Sequence, residues 1–129
     1  MNRLNIASYS TEKTAIKVVD ALDGGVLLKF SGTIDHLNPG EFLDPLLDQV
    51  HAQVLEKRVP KVEADFTELG FLNSSGIKSL IKWVMKQTAL AEDRRYPIRF
   101  VYSSKVTWQQ TSLKAITHLA KGTVVADPV

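Results

Sequence analysis

The sequence predicts an α/β fold: a mixed sheet of about five strands with three to four helices packed on it, in the order β-β-α-β-α-β-α-β. Three observations carry this expectation. Strand-length apolar segments alternate with segments of helical period from residue 26 onward; Asp23-Gly24-Gly25 separates two strand-like segments; and Pro or Gly punctuates the ends of the helical segments.

Residues 1–14 carry no clear period and are expected to form an arm or an extra edge strand, with one domain over 15–129. Ile16, Val18, Val19 and Leu22 run into Asp23-Gly24-Gly25, and Val26-Leu27-Leu28-Lys29-Phe30 follows, which predicts a tight antiparallel hairpin. Two nested helix-start signals come next, Asn38-Pro39 with Glu41 and then Asp44-Pro45, so a short turn and a helix from about Pro45 are expected. That helix presents Leu46, Leu47, Val50 and Val54 to the core and ends before Pro60.

Lys61–Thr67 predicts a strand, and the helical crossover makes it a parallel neighbour of Val26–Phe30. A second helix from Ser75 to about Ala91 places Ile77, Leu80, Ile81, Val84 and Met85 on one face. Trp83 lies at the border of that stripe, either packed or free to anchor a partner. Tyr96–Tyr102 reads as a strand, Thr107–Lys121 as a helix stopped by Gly122 with Trp108 in the core, and Thr123–Ala126 as a last short strand.

Composition narrows the functional classes. A chain of 129 residues with 44% hydrophobic content can bury an ordinary core. Its formal charge of +2 is spread along the chain without an Arg-rich block, so a nucleic-acid partner is not expected. The absence of cysteine removes disulfides and thiolate chemistry, and no apolar run reaches the roughly 18 residues of a membrane span. A cytoplasmic protein without membrane insertion is the expectation. His51 and His118 lack a second ligand at metal spacing, and neither a Walker-type nor a Gly-x-Gly-x-x-Gly segment occurs, so no metal and no cofactor is expected.

The segment with most functional content is Asn73-Ser74-Ser75-Gly76, which follows the apolar run Phe66–Leu72 and opens the second helix. A strand-to-helix junction exposes the unpaired N–H groups of the first helical turn and the positive end of the helix dipole, an environment suited to an anion or a phosphorylated serine. Capping by Asn73 or Ser74 is the alternative reading.

The string Val62–Ile77 resembles the signature of the STAS domain, the family of bacterial anti-sigma factor antagonists and sulfate-transporter tails, in which Asp-Ser-Ser/Thr-Gly-Leu stands at a helix start. Upstream, Leu28–Asp35 resembles the family's apolar strand followed by Gly-x-Leu/Ile-Asp. The resemblance implies a non-enzymatic regulatory domain whose first serine, here Ser74 (with Ser75 as alternate), is phosphorylated by a kinase-type anti-sigma factor and restored by a serine phosphatase. It implies a partner-binding surface of Asp35, Asn73, Ser74, Ser75 and Gly76, to which Lys78 and Lys82 on the second helix are added. Asn73 replaces the family's usual Asp, and Lys78 replaces a small residue.

Several alternatives stand beside this reading. Lys78, Lys82 and Lys86 form either a counter-charge row or a solvated face opposite the core. Asp35 either faces a partner or orders a turn with Asn38-Pro39. A STAS scaffold or transporter-associated subunit without phosphorylation, and a small-ligand or nucleotide sensor, remain open. A hydrolase triad of Ser74, His36 and Asp35 is disfavoured, since Asp and His are adjacent on one loop and no nucleophile elbow is present.

Overall fold

The computed structural model describes residues 2–129. Its sheet has six strands: β1 (Tyr9–Ser10), β2 (Thr14–Asp20), β3 (Val26–Ile34), β4 (Val62–Leu72), β5 (Ile98–Tyr102) and β6 (Val124–Pro128). Three α-helices connect the last four: α1 (Gly40–Lys57), α2 (Ser74–Thr88) and α3 (Thr107–Thr117), with a 3-10 turn at Glu92–Arg94. The strands lie side by side in chain order, β1-β2-β3 antiparallel and β3-β4-β5-β6 parallel.

This order decides where the helices lie. Each right-handed crossover that advances by one strand in the same direction places its helix on the same side of the sheet, so α1, α2 and α3 share one face. Burial along the strands agrees: Val26, Leu28 and Phe30 are buried while Leu27, Lys29 and Ser31 are only part-buried. The molecule is therefore a two-layer structure with an open sheet face, where a parallel sheet sandwiched by helices would be apolar on both.

Residues 2–14 contribute more than an edge. Leu4 and Ile6 are buried in the core, and Tyr9 stacks on Phe42 of α1 at 4.4 Å between ring centroids. The hairpin turn forms as expected, with Gly24 at φ +89° and the Asp23 side chain accepting from the Gly25 N–H.

Three expectations about the elements are corrected. Helix α1 begins at Gly40 rather than near Pro45, because the Phe42 and Leu43 N–H groups already bond to the Pro39 carbonyl, and Pro45 is carried inside the helix near its start. The strand expected over 61–67 continues to Leu72 through two register shifts against β3. Each shift adds a residue, so burial passes from Phe66 to Leu69 to Leu72 and leaves Phe71 half exposed. The core stripe of α2 is rotated: Gly76, Ser79, Leu80, Trp83, Val84 and Gln87 are buried, while Met85 faces solvent.

The bulged carbonyls of β4 are satisfied by α3. Gln109, fully buried, donates from Nε2 to the Phe66 and Leu69 carbonyls, each at 2.7 Å, and its Oε1 accepts from the Ser103 N–H. Trp108, expected in the core, is only part-buried and donates Nε1–H to the Gly70 carbonyl at 3.0 Å.

Candidate functional site

The C-terminal ends of β3 and β4 deliver the two predicted segments to one edge of the sheet. Thr33 and Ile34 pair in register with Phe71 and Leu72, so Asp35-His36 and Asn73-Ser74 leave the sheet side by side. Gly32 makes this possible on the β3 side. It sits at φ +89°, and a β-carbon there would overlap the Lys13 carbonyl oxygen, which accepts from the Thr33 N–H at 2.8 Å. Only glycine combines that backbone conformation with so close an approach.

Asn73 joins the two loops and caps α2. Its Oδ1 accepts from the Gly76 N–H at 2.9 Å, its Nδ2 donates to the His36 carbonyl at 2.7 Å, and its own N–H donates to the Ile34 carbonyl at 3.1 Å. The amide uses both ends, which a carboxylate cannot do. Gly76 packs its Cα hydrogens against Leu72, where a β-carbon would collide with the leucine side chain.

The consequence is a helix start that is capped yet open. Ser74 and Ser75, the first two residues of α2, are exposed, and neither hydroxyl takes a hydrogen bond among the described residues. The cap occupies the Gly76 N–H, which leaves the Ser74 and Ser75 N–H groups without a protein acceptor among those residues. An anion on Ser74 would meet these donors and the positive end of α2.

The other candidate residues are divided by the structure. Asp35 is paired with Lys13 and exposed, and that ammonium holds its carboxyl below the usual carboxylate range. It does not bond His36, whose ring lies edge-on to Phe42 at 4.9 Å, so no Ser-His-Asp relay forms with Ser74. Lys82 reaches Asp44 of α1 at 3.2 Å and Lys86 pairs with Asp48, so two of the three lysines form a seam between α1 and α2. Lys78, one turn from Ser74, has no ion pair among the described residues.

Sequence reasoning missed two contributors. Phe71, half exposed, and Leu37, fully exposed, flank the Asn73 junction on either loop. The register shifts that turn Phe71 outward leave no trace in hydropathy, though an apolar residue beside a Gly was the available signal. Among the described residues no group of three or more His, Asp or Glu side chains converges to hold a metal, and no helix is long and apolar enough to cross a membrane.

A six-stranded mixed sheet with three helices on one face is a STAS-like fold, one shared with an anti-sigma factor antagonist. The chain is similar to the crystal structure of an anti-sigma factor antagonist from Mycobacterium paratuberculosis, with a TM-score of 0.59 at 22% identity over 90% of this chain and 88% of that one. It is also similar to SiaC of Pseudomonas aeruginosa, with a TM-score of 0.65 at 18% identity over 96% and 100% of the two chains. A chain in the complex of the P. aeruginosa diguanylate cyclase SiaD with its activator SiaC gives 0.70 at 18% identity over the same shares. No family model matches the sequence, and no curated protein does.

Proposed function

We propose that the chain is a non-enzymatic regulatory protein that binds a partner protein through the start of α2 and the Asp35 loop, and that phosphorylation of Ser74 releases the partner. The observation that carries this reading is the exposure of Ser74 at the first position of a helix whose next N–H donors are unoccupied. A phosphoryl group adds about −1.5 to −2 charges, which this helix start tolerates, while a partner seated on the same surface must desolvate or oppose them. Lys78 supplies the adjacent counter-charge, and Ser75 is the alternate acceptor.

Two kinds of partner fit. The fold shared with an anti-sigma factor antagonist supports a kinase-type anti-sigma factor, with a serine phosphatase to reverse the modification. The fold shared with SiaC, the activator of a diguanylate cyclase, supports a signalling enzyme as the target instead. Phe71 and Leu37 supply apolar anchors for either, and a cytoplasmic setting suits both.

Asn73 favours a second reading. Its amide is engaged at both ends, in capping α2 and in joining the loops, so the position serves architecture without any charge for a kinase site, as in a constitutive scaffold. Affinity capture from the native host with wild type, Ser74→Ala and Ser74→Asp separates the two. A protein partner held by the first two and lost from Ser74→Asp supports the switch, together with a phosphate on Ser74 in peptide mass spectra. Equal capture by all three, with Ser74 unmodified, supports the scaffold.

A further inference from the structure

We infer that the open face of the sheet is a self-complementary contact surface on which a second copy of this chain docks face to face. The proposal is independent of the α2 start and concerns the side of the sheet that the helices leave uncovered.

Two rows of side chains cross this face. Register places Val19, Leu27, Glu63, Arg99 and Val125 in one row from β2 to β6, and Lys17, Lys29, Asp65, Val101 and Asp127 in the next. β4 is the central strand of these five. A two-fold axis lying along β4, between two stacked sheets, carries β2 of one copy over β6 of the other and keeps the rows aligned. The first row then meets itself with Val19 over Val125, the two ends of the row being exposed apolar side chains at 39% and 43%. The second meets itself with Lys17 over Asp127, opposite charges, at both ends, Lys29 over Val101 between them, and Asp65 over Asp65 on the axis.

The charges on the isolated chain are left unbalanced in the way this contact would relieve. Lys17 stands directly opposite Lys29, a like-charge pair that costs stability in a cross-strand position. Lys29 is drawn toward Glu68 at 3.3 Å, while Lys17 is exposed and has no ion pair among the described residues. At the other edge, Asp127 uses Oδ2 to accept from Arg99 at 2.8 Å and leaves Oδ1 without a donor among those residues. Arg99 also binds Glu63 at 2.9 Å, which neutralises the Glu63 side chains that meet on the axis, and Asp65, which meets its own copy there too, is flanked in register by Lys29 of each copy. A concavity of about 430 Å³ between Gly25, Leu27, Arg99 and Val125 gives the first row room to interdigitate.

The size of the face sets the strength. Five strands at about 4.8 Å spacing span about 19 Å, and the five-residue strands β5 and β6 run about 17 Å, so the shared face is on the order of 300 Å², below the roughly 800 Å² per partner of a standard stable interface. The dimer is therefore a weak one, held in an aligned sheet-on-sheet geometry with the crossing angle of about 30° that sheet twist imposes. The lysine side chain is long enough to absorb the offset this angle creates at the edges.

Sedimentation equilibrium of the full chain tests the proposal. The weight-average mass is expected to rise from 14.3 kDa toward twice that value between about 10 µM and about 1 mM. Lys17→Asp and Asp127→Lys, checked for folding by circular dichroism, are each expected to weaken association about tenfold, and the two together in one chain to restore it. A mass that stays at 14.3 kDa throughout overturns the proposal. So does association that either single variant leaves unchanged, or that the reciprocal pair fails to recover.

Discussion

Asn73 Nδ2 lies 2.7 Å from the His36 carbonyl oxygen, and this bond ties the loop after β3 to the cap of α2. It gives position 73 a reason to be Asn where the STAS signature that the sequence resembles has Asp. An aspartate would keep the cap on Gly76 but set a carboxylate oxygen against a carbonyl oxygen. Asn73→Asp is expected to lower stability by about 1 kcal/mol, and Asn73→Ala, which also removes the cap, by about 2 kcal/mol. Urea unfolding measures both; an Asp variant as stable as wild type would show that the donated bond is unimportant.

Ser74 carries a separate expectation about charge. Because it is exposed at the first position of α2, a negative side chain there interacts with the helix dipole without displacing any bond. Ser74→Asp is expected to leave the fold intact and raise stability by about 0.3–1 kcal/mol at low salt. Thermal unfolding at low and high ionic strength checks this, and a loss of stability at low salt would count against a site built to tolerate a phosphate.

Gly32 is the most demanding backbone position in the site. Its positive φ and the contact with the Lys13 carbonyl both exclude a side chain. Gly32→Ala is expected to cost about 3 kcal/mol, more than the 1 kcal/mol or so of an ordinary glycine replacement at positive φ, because strand pairing of β2 must also give way. Gly122, also at positive φ but with open space where a β-carbon would stand, is the control: Gly122→Ala should cost about 1 kcal/mol. Equal costs at the two positions would mean that conformation alone, and not the Lys13 contact, sets the requirement.

The hairpin, the parallel pairing of β3 with β4 and the junction at Asn73 were legible because each rests on local chemistry: a Gly-Gly turn, a helical crossover and a capping residue before a helix. What escaped was set by tertiary contacts. The two added residues of β4 exist because Gln109 and Trp108, some 40 positions later, supply donors for the Phe66, Leu69 and Gly70 carbonyls. Nothing in the residues 66–72 announces those donors. The stripe of α2 was misjudged for the same reason, since Trp83 and Gln87 are buried by bonds to Tyr96 that no periodicity encodes.

That last cluster carries a pH dependence. The Tyr96 hydroxyl accepts from Trp83 Nε1 at 2.8 Å, and His51 Nδ1, also at 2.8 Å, is the one acceptor within reach of its proton among the described residues, so a satisfied cluster has the hydroxyl donating to His51. His51 must then be neutral with its proton on Nε2. Burial and the nearby Lys86 ammonium push the imidazole below its ordinary value of 6.5, with Asp48 opposing them. The sign follows from linkage. Above pH 6.5 both folded and unfolded chains hold neutral His51, and the full stability is present. As pH falls, the unfolded chain takes up the proton first, so stability declines until the folded form is protonated too, and the slope from this one group cannot exceed about 1.4 kcal/mol per pH unit. Asp44, whose carboxyl is held below its ordinary value by the neighbouring Ser79 and by the Lys82 ammonium at 3.2 Å, contributes in the same direction but only in the more acidic range. His51→Gln offers a non-titrating acceptor to Tyr96, and is expected to flatten the decline in urea midpoint between about pH 7 and pH 5 while leaving the more acidic fall in place. A variant that keeps the wild-type slope over that interval would locate the proton uptake elsewhere.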